Sequence, residues 1–176
     1  MKRSLVFALG WLMLMVPAAN FAVGDIQPFT ELEAATVSLE DEKDLSRRAV
    51  DMWASGNSGK PQEIFAKTYV NHQEPDAEGG VKDLSLEEWE KLVRGYHKAF
   101  SNSKVLVLVQ IAEGHLVATR WQFTATQTGQ YMGLAPSGKE VTWTGVQIDR
   151  FDSGKIVESW VNWDKYRLFE GLGLVK

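Results

Sequence analysis

The sequence predicts an α+β domain in which helices come first and a curved antiparallel sheet follows. Three observations carry this prediction. Two segments before residue 101 repeat apolar residues at helical spacing, and each opens on a capping box. From Lys104 onward the period becomes that of strands. A glycine-bearing hairpin turn and two further turn signals then divide the chain into strands that must run back and forth.

The first 24 residues read as a removable export segment. Lys2 and Arg3 supply a positive start, and residues 5–16 are apolar apart from Gly10. That run is too short to span a bilayer comfortably. Pro17 breaks it, and Ala19, Ala22 and Gly24 each satisfy the small-residue rule for cleavage. An uncleaved anchor is the alternative. The mature protein is expected outside the cytoplasm, secreted or periplasmic and free of the membrane. Residues 25–37, with Pro28, form an extended lead-in, and residues 38–176 form the domain.

Ser38 and Asp41 stand at capping-box spacing, with Glu40 and Glu42 favouring the positive helix start. Leu45, Ala49, Met52 and Trp53 make one apolar stripe, and Gly56 is a natural stop. Pro61 suits the first turn of a short helix that carries Ile64 and Phe65. Tyr69, Val70, Asn71 and His72 follow, between that helix and a polar loop ending in Gly79-Gly80. Ser85 and Glu88 open the next helix, whose stripe is Trp89, Leu92, Val93, Tyr96 and Phe100. Residues 105–111 are almost continuously apolar and β-branched, which predicts a strand buried on both faces. Further strands are expected at about 116–128, 140–151 and 155–163. Asp152-Ser153-Gly154 turns the last pair, and a short helix carries Leu168 and Phe169.

A length of 176 residues suits one domain. The formal charge of -4 and the absence of a basic, aromatic-laced stripe argue against a nucleic-acid partner. With no cysteine, disulfides, thiolate metal sites and a cysteine nucleophile are excluded. Glu74, Asp76 and Glu78 match no calcium-loop spacing and read as a solvated loop, so no metal is expected. There is no phosphate-binding glycine loop, His-Glu-x-x-His motif or nucleophile elbow.

The stretch Gly133-Leu134-Ala135-Pro136-Ser137-Gly138-Lys139, the run from Arg150 through Gly154-Lys155-Ile156 to Trp160, and then Asp164 and Leu172-Gly173 resemble the SnoaL-like family. That family holds polyketide and ester cyclases within the nuclear transport factor two superfold. The resemblance covers about residues 40–174. It implies a cone, in which a strongly curved sheet wraps around helices and encloses one deep pocket. It also implies dimers or larger assemblies, and ring closure by intramolecular aldol condensation without a cofactor. In the cyclases a carboxylate and a histidine on the last two long strands handle the protons. Those two positions here hold Gln147 and Val161, neither of which exchanges a proton near neutral pH.

Strand alternation sets Trp143, Gly145, Gln147, Asp149 and Phe151 on one face. On the last strand the matching face is Val157, Ser159, Val161 and Trp163, if no bulge intervenes. Three residues are candidates for proton handling. Asp149 is either an inward carboxyl of raised pKa or a rim residue. His72 either contacts a ligand near the pocket mouth or is an ordinary loop histidine. Asp164 is either a pocket acid or the cap of the last helix. Trp53, Tyr69, Trp121, Trp143, Gln147, Val161 and Trp163 are the candidate pocket wall, with Arg120 facing away from Trp121. His97 and His115 are expected to be exposed.

The expected partner is a small, largely apolar molecule, bound for acid–base chemistry or simply carried. Trp160, on the outer face beside Glu158, is expected to be covered by a second copy of the chain in a homodimer. The export reading is checked by N-terminal sequencing of exported material. It should begin between Ala19 and Asp25, whereas cytoplasmic protein with Met1 intact would contradict it.

Overall fold

The computed structural model describes residues 38–56, 60–73 and 83–175. The export segment, the lead-in and the acidic loop at 74–80 lie outside the described residues.

Helix α1 spans Leu39–Ser55, and a one-turn 3₁₀ helix spans Pro61–Glu63. Strand β1 is Phe65–Gln73 and β2 is Asp83–Ser85, followed by helix α2, Leu86–Ala99. The long strands are β3 Phe100–Glu113, β4 Leu116–Gln127, β5 Glu140–Asp152 and β6 Lys155–Trp163, and helix α3 closes the chain at Lys165–Leu172. Both capping boxes form, Ser38 with Asp41 and Ser85 with Glu88. Each satisfies two backbone donors that a helix start leaves free. The turn between β5 and β6 is a two-residue loop in which Ser153 and Gly154 take φ of 49° and 72°. Two left-handed residues in succession match the twist of a hairpin.

The sheet order is β2-β1-β6-β5-β4-β3. It is mixed rather than purely antiparallel, because the segment holding Tyr69 to His72 is strand β1 and runs parallel to β6. The chain between the two strands, from β2 and α2 through β3 to β5, supplies the long connection a parallel pair requires.

The helices cover one face of the sheet. Along β4 and β5 burial alternates, apart from the half-buried run at residues 144–146: Val117, Thr119, Trp121, Phe123 and Ala125 point inward, as do Val141, Trp143, Gln147, Asp149 and Phe151. Trp121 lies over Gly145, where an added Cβ would come within 2.3 Å of its indole. Only glycine allows that approach.

Three expectations need correction. Residues 105–111 are not buried on both faces, since β3 is an edge strand and nothing in the described chain covers its outer side. Leu106 and Ile111 are 57% and 65% exposed there. On β6 a bulge intervenes: Arg150 pairs with Glu158 but Phe151 pairs with Ile156. Ile156 is therefore the buried residue and Val157 drops out of the inner face. In α2, Leu92 is 42% exposed, leaving Trp89 and Val93 to dock the helix.

Candidate functional site

The inner face divides into two apolar clusters with a polar belt between them. One cluster gathers Ala49, Met52, Ile64, Phe65, Tyr69, Trp89, Val117, Phe151 and Ile156. The other gathers Val50, Phe100, Trp121, Phe123, Trp143 and Leu168, with Val161 and Trp163 packed against it. Trp53 packs against both. Between them, Thr119 pairs with Gln147 across β4 and β5, and Asp149 pairs with Ser159 across β5 and β6.

Asp149 is the centre of this belt and has no exposed surface. Ser46 of α1 donates a hydrogen bond to its Oδ2 at 2.7 Å. Ser159 donates to Oδ1 at 2.5 Å, and the Gln147 amide donates to both oxygens at 2.8 Å. Burial pushes the Asp149 carboxyl up to about 6, against the pull of these donors toward the ionised form. Tyr69 is buried alongside, its hydroxyl accepting a hydrogen bond from Asn71 Nδ2 at 2.7 Å. Burial pushes that phenol well above its ordinary value, and the neighbouring Asp149 adds to the rise.

The sequence pointed to Asp149 and Gln147 on one face, and the structure brings them into contact. It did not single out Ser46, Asn71 or Thr119. Ser46 left one signal, a small polar residue three positions before Ala49 in the α1 stripe.

The remaining candidates are dispersed. Val161 pairs with Gln147 and Trp163 with Gly145, both half-buried on the inner face. Trp143 is buried and stacks on Phe123 at 5.9 Å. Trp53 is half-buried and meets Trp89 and Tyr96 edge-on at 5.9 and 6.0 Å. Asp164 caps α3, accepting from the Arg167 amide at 2.9 Å. It also borders a shallow depression of about 390 Å³ shared with Arg120, Gly145 and Trp163.

His72 is not in a loop and does not face the concave side. It sits in β1 opposite Trp160, on the outer face, and its ring stacks on that indole at 5.4 Å. Its Nδ1 lies 2.6 Å from Asp83 and its Nε2 lies 2.7 Å from Glu158, which Arg150 holds from the other side at 2.7 Å. Carboxylates only accept, so two such neighbours favour the doubly protonated ring, which donates from both nitrogens. The Glu158 bond accordingly raises the His72 pKa against the effect of burial, with Asp83 adding to the rise. His97 is also not exposed as expected. Half-buried, its Nε2 lies 2.6 Å from the Trp53 carbonyl. His115 is exposed, 3.5 Å from Glu42. Among the described residues no group of three or more His, Asp or Glu side chains is arranged to hold a metal ion.

An open mixed sheet of six strands curved over helices is the cone fold of proteins like nuclear transport factor two. Residues 43–172 match the family model of the SnoaL-like polyketide cyclases, and the chain belongs to that family. AclR, a proposed hydroxylase from Streptomyces galilaeus, is similar at 31% identity over 79% of this chain and 89% of its own, with a TM-score of 0.69. IdmH, a proposed polyketide cyclase from Streptomyces antibioticus, is similar at 26% identity over 75% and 98%, with a TM-score of 0.66. TsrD from Streptomyces laurentii shares the fold, with a TM-score of 0.68, at 16% identity over 80% and 100%. A search of curated proteins gives no match.

Proposed function

We propose that this protein binds a small, largely apolar molecule on the concave side of its sheet and moves a proton there with the Asp149 carboxyl, without a cofactor. Asp149 carries the reading: it is a carboxyl of pKa about 6, fully withdrawn from water beside an aromatic-lined face. Partial exposure of Trp53, Tyr96, Val161 and Trp163 marks where that face opens. The family description and the cyclase role proposed for IdmH support ring closure as the reaction class. The Asp149 carboxylate would take a proton from carbon beside a carbonyl, the resulting enolate would attack a second carbonyl, and the carboxyl would return the proton to the new alkoxide. A base near the working pH suits both transfers. In this reading the protein acts outside the cytoplasm, as its N-terminal pattern suggests.

A second reading has its own observation. Ser46, Gln147 and Ser159 tie Asp149 to α1, β5 and β6 through four hydrogen bonds. Binding without chemistry would leave the carboxyl as a tie between α1 and the sheet. A nitrobenzisoxazole, which opens on loss of one carbon-bound proton, separates the two. Wild-type turnover should rise with pH through a midpoint near 6, and Asp149→Asn should lose it while still binding a neutral fluorescent probe. Equal turnover in both proteins would leave binding alone.

For the outer face, the partner we propose is a second copy of the chain. Ile111, Ala118, Ile148, Trp160 and His72 pair in turn across β3, β4, β5, β6 and β1, forming one row. Ile111, Ile148 and Trp160 are 65%, 37% and 36% exposed along it. A two-fold axis would set that row against its own copy and remove it from water. Light scattering should find a wild-type dimer and a folded monomer for Trp160→Glu. A monomeric wild type at micromolar concentration would contradict the proposal.

A further inference from the structure

The polar belt continues past Asp149 onto β1. Asn71 of β1 stands opposite Ser159 of β6, and Ser159 stands opposite Asp149 of β5. The three form one buried row across the inner face. Tyr69, buried as well, lies two residues before Asn71 in β1 and so shares its face.

Each hydroxyl of this group has one hydrogen, and that fixes the direction of the bonds. The Asn71 amide donates to the Tyr69 oxygen at 2.7 Å. Ser159 donates to Asp149 Oδ1 at 2.5 Å, which commits its hydrogen to the carboxylate. Burial raises the Tyr69 pKa, and a hydrogen bond with Ser159 is the strongest pull against that rise. The phenol is therefore neutral, and Ser159 can meet it only as an acceptor. The order runs from Asn71 to Tyr69 to Ser159 to Asp149, with every hydrogen directed at the carboxyl. Bonds in such a file polarise one another, so each strengthens the next.

Among the described residues no charged side chain bears on the Asp149 carboxyl. Burial raises its pKa, and hydrogen bonds oppose the rise, that of Ser159 most strongly, then those of Ser46 and Gln147. The donors that face it from α1, β5 and β6 thus set how readily it ionises, and the strongest of them is the one Tyr69 touches.

We infer that Tyr69 is a positioning residue that acts on Asp149 through Ser159, holding the serine hydroxyl as a donor to the carboxylate. Without the phenol, Ser159 loses the partner that fixes its rotation and polarises its O–H. This inference deepens the proposed function and rests on the reading that Asp149 moves a proton.

Carbon-13 titration of the Asp149 carboxyl tests the file whether or not the protein turns over a substrate. Ser159→Ala should raise the midpoint by about one unit or more, the effect of one hydrogen bond to a charged group. Tyr69→Phe should raise it by about half a unit, the smaller effect of a bond one step removed. In the Ser159→Ala background Tyr69→Phe should add nothing, because the link between them is gone. Nitrobenzisoxazole turnover by Tyr69→Phe should show the same displaced midpoint with an unchanged KM. An unmoved midpoint in Tyr69→Phe would overturn the inference. So would a full shift in the double variant, because Tyr69 would then act on Asp149 directly. Fluorotyrosine in place of tyrosine keeps the ring and makes the phenol a stronger donor, so it should lower the midpoint. That measurement decides the matter if Tyr69→Phe fails to fold, and an unchanged or raised midpoint would count against the file. Shifted midpoints in a protein without turnover would contradict the proton-transfer reading and still support the file.

Discussion

A carboxyl removed from water at Asp149 is the constraint on which the inner structure depends. It joins three elements at one point: Ser46 brings α1, Gln147 belongs to β5 and Ser159 to β6. Apolar packing alone would let α1 slide or rotate on the sheet, since burial is non-directional. Hydrogen bonds to a single carboxyl fix its register. The cost is electrostatic. A rise from 3.8 to about 6 corresponds to about 3 kcal/mol of disfavoured ionisation. The folded form holds the proton more tightly than the unfolded chain does. The stability from that difference is complete below the unfolded value of 3.8 and is lost as pH rises through about 6. At neutral pH the belt therefore stores strain that a dry core would avoid, as expected of a site kept for chemistry or specificity.

Most of the fold was legible because its signals were local. Ser38 with Asp41 and Ser85 with Glu88 announce helix starts, and Ser153-Gly154 announces a hairpin. Alternation along β5 needed only its own residues. What the sequence hid was non-local. The run from Val105 to Ile111 reads the same whether a strand is central or at an edge, and only the order of strands decides. The parallel pairing of β1 with β6 joins segments about 90 residues apart and leaves no mark near Tyr69. The bulge at Val157 likewise depends on how β6 meets β5.

The site was legible to the same degree and for the same reason. Asp149 and Gln147 share one strand, so their common face followed from parity. Ser46 lies 103 residues away in sequence, and its bond to Asp149 appears only once α1 is docked. His72 was misplaced because the strand that holds it was not recognised. Once in β1, parity turns it toward Trp160 and away from the cone. Gln147 and Val161 stand where the cyclases are expected to carry their proton-handling pair. The ionisable group of this chain lies two residues further along β5, at Asp149.

The two faces of β5 and β6 thus do different things with adjacent residues. Ser159 bonds the buried carboxyl, and Trp160 lies in the exposed row, stacked on the His72 ring. The central claim concerns the inner face, that Asp149 is protonated at an unusually high pH because burial outweighs its donors. Carbon-13 labelling of the aspartate carboxyls, with Asp149→Asn to assign the resonance, reads its titration directly. The account predicts a midpoint near 6. A midpoint at or below the ordinary 3.8 would show that Ser46, Gln147 and Ser159 stabilise the anion more than burial penalises it, and would contradict the account.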